Sequence, residues 1–179
     1  IIMACDFITS GRLLECINNT SGLRNAYFAK WLDYGFTVVD SAMTGLGTLD
    51  EVFKFELKNV GNIPLETETS SVDNGTVFYD AKIDLVLTGL TAPLVNQAKL
   101  FSRDRSVIFI EDNNGKFHCF GVANGANKTT GTREIAGDLG GFYGLKMSFQ
   151  TLEPDTAPIL DSATVTSLLA IVSDVYVND

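Results

Sequence analysis

The sequence predicts a mainly β fold: a sandwich or barrel of antiparallel strands with one flanking α-helix and one long protruding β-hairpin. Three observations predict it. First, residues 51–88 contain two segments in which apolar and polar side chains alternate, the signature of half-buried strands. Phe53, Phe55 and Leu57 share one face against Lys54, Glu56 and Lys58. Val77, Tyr79, Ala81, Ile83, Leu85 and Leu87 share another against Phe78, Asp80, Lys82, Asp84, Val86 and Thr88. Second, VIFIEDNNGKFHCFGV places a tight Asp112-Asn113-Asn114-Gly115 turn between two strand-like runs. Third, the chain carries 16 glycines and 12 phenylalanines among many β-branched residues, a composition that favours sheets over helices.

The elements follow in order. Asn18 to Gly22 form a turn cluster. Residues 23–32 fit a helix face through Leu23, Tyr27 and Trp31, but their aromatic content and the preceding glycine favour a strand. Asp33-Tyr34-Gly35 is a turn, residues 36–40 a short strand, and residues 41–50 a loop. The alternating segments of 51–88 then read as a long hairpin. Asp73-Asn74-Gly75 is its reversal, because Asn-Gly accepts positive φ. Gly61 and Pro64 interrupt the first arm, since both weaken a central strand. Residues 66–70, ETETS, fit a strand exposed on both faces.

Thr91 is a suitable N-cap, with Pro93 just inside the helix start. Leu94, Val95, Ala98, Leu100 and Phe101 then give a helix of about three turns. Residues 106–111 and 116–122 form the tight hairpin. Residues 123–141, rich in Gly, Thr and Asn, show no hydrophobic period and read as a long mobile loop. Residues 142–152 alternate again, with Tyr143, Leu145, Met147 and Phe149 inward, until Pro154 and Pro158 break the pattern. Residues 164–177 fit either a strand or a helix.

At 179 residues, 45% apolar and 20% charged, the chain has the material for one packed domain. Its net charge of −9 argues against binding nucleic acid by phosphate neutralisation. An acidic wall, by contrast, lets DNA pass without adhering. Cys5, Cys16 and Cys119 match no metal-ligand spacing. Their spacing allows a Cys5–Cys16 bridge, and buried free thiols in a reducing cytoplasm are the preferred reading. No apolar run reaches transmembrane length, so no membrane insertion by this chain is expected. IIMACDF lacks the parts of a signal peptide, and Met3 fits a translation start.

Catalytic chemistry finds no anchor. His118 alternates with Cys119 across a strand, so the two point to opposite faces and make no nucleophile–base pair. Glu66 with Glu68, and Asp80 with Asp84, share strand faces, an arrangement common on any solvated acidic strand. Residues 112–115 lack the later acidic ligand of a calcium loop. The glycine clusters are neither a dinucleotide fingerprint nor a P-loop. No cofactor, metal or catalytic residue is therefore assigned, and the chain is read as a non-enzyme.

The order of elements carries a resemblance. A long polar-tipped hairpin, a single helix, the hairpin VIFIEDNNGKFHCFGV, a Gly/Thr segment and the closing GGFYGLKMSFQTLEPDTAPIL together resemble the tail tube (major tail) proteins of tailed bacteriophages and related contractile injection systems. The opening ACDFITSGRLLEC is similar to structural proteins of phages of Bacteroidetes-type hosts. The resemblance covers roughly residues 4–160. It implies a virion structural protein assembled in the host cytoplasm. Self-association would give stacked hexameric rings, with other tail proteins as partners and DNA ejected through the channel as cargo. It further implies one β domain over residues 1–160 and a C-terminal extension or arm over residues 161–179. The candidate channel-facing residues are Glu56, Glu66, Glu68, Asp80 and Asp84. Two other classes fit the same elements. One is another virion part: a head–tail connector, a tail terminator or a capsid decoration protein. The other is a small β-sandwich carbohydrate-binding module with an exposed platform of Tyr27, Trp31 and Tyr34.

Overall fold

The computed structural model describes residues 8, 10–14, 16–58 and 60–177. It is mainly β, with 46% strand against 11% helix, and its strands divide between two sheets. The strands are β1 (Leu23–Lys30), β2 (Thr37–Val39), β3 (Ala42–Gly45), β4 (Phe53–Glu56), β5 (Ile63–Ser71) and β6 (Thr76–Thr88). After helix α1 (Ala92–Leu100) come β7 (Ser106–Asp112), β8 (Phe117–Phe120), β9 (Asn127–Ile135), β10 (Tyr143–Glu153) and β11 (Ile159–Leu160). Helix α2 (Ser162–Ala170) follows. The larger sheet has the order β2-β3-β11-β8-β7-β1-β4 and the smaller the order β5-β6-β10-β9.

The centre of the larger sheet is covered on both faces, while its edge strand β2 is exposed. On β7, Ile108 and Ile110 point to one side while Val107 and Phe109 point to the other, and all four are fully buried. This explains its unbroken apolar run, because a strand with no solvent side has no reason to alternate. On the first side, the inward residues of the smaller sheet (Ala81, Ile83, Leu85, Leu145, Met147 and Phe149) close the sandwich core. Phe101, at the end of α1, packs against Phe28, Phe55 and Phe149 with ring centroids 4.7–5.7 Å apart. On the second side, Tyr27, Phe109 and Cys119 meet Met43, Leu49, Val52 and Leu168 of α2. Each fully buried aromatic or large aliphatic side chain contributes about 1.5–3 kcal/mol here.

Both helices are capped as their sequences allow. Thr91 Oγ1 accepts from Leu94 N at 3.3 Å, with Pro93 in the first turn. Asp161 Oδ1 accepts from Thr164 N at 2.7 Å and starts α2. The expected extension past residue 161 is thus packed into the body. Leu168 is fully buried, and Val52 bridges to Val172. The one expected helix, α1, is joined by this second one.

Several expectations need correction. The segment of Phe53, Phe55 and Leu57 is not an arm of the long hairpin. It forms β4, which pairs with β1 at the edge of the larger sheet. The chain crosses to the other sheet through Gly61 (φ 87°), and the hairpin is β5 with β6 alone. Pro64 does not break its arm: the register runs without interruption from Ile63↔Asp84 to Ser71↔Thr76. A sheet edge tolerates proline because only one side of the strand needs ladder donors. Residues 42–45, read as loop, are β3, held between β2 and the parallel β11. Residues 127–135, read within a mobile loop, are β9, an edge strand paired along its length with β10. Its exposed polar side chains erased the alternation. Tyr143 was expected inward but is half-exposed, because it begins β10 at the rim of the sandwich. Cys119 is buried, whereas Cys16 is exposed. The Cys5–Cys16 bridge falls on Cys5, which lies outside the described residues.

Candidate functional site

The smaller sheet sets the site. Its inner face fills the core, so its outer face and its two edge strands, β5 and β9, are what the fold leaves open. Side-chain alternation places Phe78, Asp80, Lys82 and Asp84 of β6 on the outer face, beside Ile63, Leu65, Thr67 and Thr69 of β5 and Lys146, Ser148 and Gln150 of β10. This face is mixed: Ile63, Leu65 and Phe78 are exposed apolar groups among the charges. Asp80 accepts from Gln150 Nε2 at 2.9 and 3.0 Å. Asp84 accepts from Ser148 Oγ and lies 3.9 Å from Lys82 Nζ, and Lys146 Nζ reaches Glu134 at 2.5 Å.

The candidate channel residues therefore do not share one surface. Asp80 and Asp84 lie on the outer face. Glu66 pairs across from the buried Ala81 and Glu68 from Tyr79, so both point to the inner side of the sheet. Glu56 lies on β4 in the other sheet, exposed and 3.0 Å from Lys54 Nζ. The split of the expected arm between the two sheets separates Glu56, and the β5–β6 register turns Glu66 and Glu68 to the face opposite Asp80 and Asp84.

Glu66 has a different task. Its carboxylate accepts from Thr156 Oγ1 and, at 2.8 Å, from Ala157 N. It fastens the 154–158 segment across the mouth of the sandwich, beside a cleft of about 160 Å³. At the same mouth the buried Glu153 accepts from Ala123 N at 2.9 Å, Asn124 N at 3.0 Å and Thr151 Oγ1 at 2.8 Å. Backbone donors thus occupy both carboxylates, and the pair works as a structural clasp. Tyr79, near Glu68, is raised above its ordinary pKa by desolvation and then by that carboxylate. Cys119 is raised well above its ordinary value by burial and then by Glu153, so it stays a thiol.

The hairpin overhangs the sheet. The β6–β10 ladder ends at Tyr79↔Glu153, while the β5–β6 ladder continues through Thr69↔Phe78, Ser70↔Val77 and Ser71↔Thr76. Those three further pairs project by about 10 Å. Gly75 adopts φ 62° at the reversal, the positive φ that glycine there accepts, while Asn74 keeps a negative φ. Val77, which shares a face with the buried Ala81, is half-exposed because it lies beyond the end of the β6–β10 ladder.

The aromatic platform expected of a carbohydrate module is not exposed. Tyr27 and Tyr34 are buried, and their hydroxyls donate to Glu111 Oε2 at 3.1 Å and Lys30 O at 2.7 Å. Trp31 is sandwiched between the Arg105 guanidinium, 3.9 Å from the ring centroid, and Gly125. A Cβ at Gly125 would approach the Trp31 ring to 2.7 Å. His118 lies 3.7 Å from Asp112 Oδ2, part of the turn it closes. Asp112 Oδ1 in turn accepts from Asn114 N at 2.9 Å and Lys116 N at 2.8 Å, so the turn binds its own backbone. Among the described residues, no group of three or more His, Cys, Asp or Glu could hold a metal, and no helix is long and apolar enough to cross a membrane.

Sequence reasoning missed β9 and a groove beside it. Leu90, Val95 and Lys99 around α1 face Arg133 and Ile135 of β9 and Tyr143 of β10 across about 530 Å³. The Thr-rich run TTGTREI was the available signal for the strand. No protein-family model matches the chain, and no match is found among curated proteins or solved structures. Function has therefore to be read from these surfaces.

Proposed function

We propose that the chain is a virion structural protein of the tail-tube type, which self-assembles into rings that stack into a tube for DNA. The observation that carries this reading is the four-stranded sheet, whose two edge strands have no second strand partner among the described residues. Among the described residues, β5 and β9 each pair with one strand only, and each presents an outer row of backbone groups, interrupted in β5 at Pro64, which has no N–H. In a monomer such edges invite uncontrolled pairing. In a ring, β5 of one subunit pairs with β9 of the next, and the closed barrel has no edge. The outer face of the sheet then lines the channel, with Asp80 and Asp84 as its carboxylates. Because Lys82 lies beside Asp84 and Lys146 beside Glu134, the lining is mixed, Asp80 keeps its charge with the Gln150 amide on it, and the face offers phosphate no basic row to bind. The partners are further copies of this chain and other tail proteins, and the place of assembly is the host cytoplasm.

Negative-stain microscopy of the purified protein, with light scattering on the same sample, tests the proposal. Open-ended tubes support it. Rings that stay single point instead to a connector, terminator or decoration protein. A stable monomer sinks the assembly reading.

A further inference from the structure

The two ends of the smaller sheet are complementary. β6 runs from the overhanging hairpin tip at Thr76 to Thr88, where α1 follows, so its 13 residues set two poles about 40 Å apart. At the tip pole, Val72 is 96% exposed and is followed by Asp73 in the turn. Asp73 has no ion-pair partner among the described residues. At the opposite pole lies the open groove of Leu90, Val95, Lys99, Arg133, Ile135 and Tyr143. Ile135 is 69% and Tyr143 49% exposed. Lys99 and Arg133 are exposed, and they too lack ion-pair partners among the described residues. The neighbouring Glu134 points to the other face and is held by Lys146. Asp138, in the turn after β9, is the next acid in sequence. In a chain of net charge −9, an exposed apolar groove flanked by two unpaired cations is unusual ground.

We infer that this groove receives the hairpin tip of a second copy. Val72 sits against Ile135 and Tyr143, and Asp73 lies between Lys99 and Arg133. The contact is head-to-tail: one pole of each subunit meets the opposite pole of the next. Such heterologous contacts propagate as open stacks when, as between opposite poles along one axis, no rotation closes them into a ring. Charge complementarity fixes the occupant, since a like-charged tip would be repelled. The inference rests on the tube reading and assigns its ring-to-ring contact.

The test is charge reversal read by negative stain and sedimentation at fixed protein concentration. Asp73→Lys is expected to shorten tubes by about tenfold or more while leaving rings intact. The pair Lys99→Glu with Arg133→Glu is expected to do the same. Combining all three substitutions is expected to restore length to within about threefold of the parent. These positions are exposed, and ring formation by each variant reports that it folds. Tubes of parental length from Asp73→Lys, or no recovery in the combined variant, overturn the contact and leave the tube reading standing. An unmodified chain that forms no tubes overturns both.

Discussion

The two sheets share one core but differ in what they leave exposed. The larger is buried on both faces at its centre, between the smaller sheet and the layer of α2 with its neighbouring loops. The smaller is buried on one face only, and its edge strands β5 and β9 have no second strand partner among the described residues. The larger sheet, which also ends in edge strands at β2 and β4, holds the subunit together, and the proposed assembly uses the smaller one. The division also separates two kinds of sequence signal. β7 reads as a solid apolar run, β6 and β10 alternate, and β9 shows no period at all, in step with how much of each strand meets water.

The largest expected effect breaks the scaffold side of this comparison. Phe109→Ala removes a fully buried ring from the doubly covered sheet and is expected to cost about 3–5 kcal/mol in urea unfolding of the dissociated subunit. Thr67→Ala, on the open face of the edge strand β5, is expected to change stability by about 0.5 kcal/mol or less. Equal losses at the two sites would remove the distinction between the sheets.

Hydrogen exchange sharpens the same contrast. Amides of β7 are expected to be protected in the dissociated subunit and in the assembly alike. Those of β5 and β9 that point away from their partners should exchange quickly in the subunit and slow by about a hundredfold or more once ring pairing satisfies them. Unchanged exchange along both edges would rule out edge pairing.

Smaller effects attach to the clasp and the helix caps. Glu66→Gln replaces the carboxylate that holds Thr156 and Ala157 and is expected to cost about 1 kcal/mol, with faster proteolysis near residue 155 as its local readout. Thr91→Ala removes the side-chain acceptor at the start of α1, with an expected loss of about 1 kcal/mol measured by thermal unfolding.

The smallest expected effect is a pH dependence. Hydrogen bonds from Thr164 hold the Asp161 carboxyl below its ordinary value of 3.8. A lowered folded-state pKa stabilises the fold above the unfolded value and loses that contribution as pH falls through the folded one. Asp161→Asn is therefore expected to melt slightly below the parent at neutral pH and to converge with it as pH falls below 3.8 and through the lowered folded-state value. A gap that widens on acidification would contradict the cap.

Much of the fold was legible in the sequence because burial on one face writes a period. Ala81, Ile83, Leu85 and Leu87 are buried as their alternation required, and the chain turns at Asp73-Asn74-Gly75 with positive φ at Gly75. What was not legible has a common cause. Whether two alternating strands pair with each other is a tertiary fact. Phe53, Phe55 and Leu57 look the same whether they pair with β6 or, as they do, with β1. The site suffered most from this. Glu66 and Asp80 both read as solvated carboxylates, yet one clasps backbone N–H groups at the sandwich mouth and the other sits on the open face. The Lys99–Arg133 groove joins residues from α1 and β9, and β9 itself left no period to find.

The most direct measurement is the mass and shape of the purified chain, by light scattering and negative-stain microscopy together. The account predicts rings stacked into open tubes of uniform diameter, built through the edges of β5 and β9. A monodisperse monomer whose β5 and β9 edges stay unpaired at high concentration would contradict it.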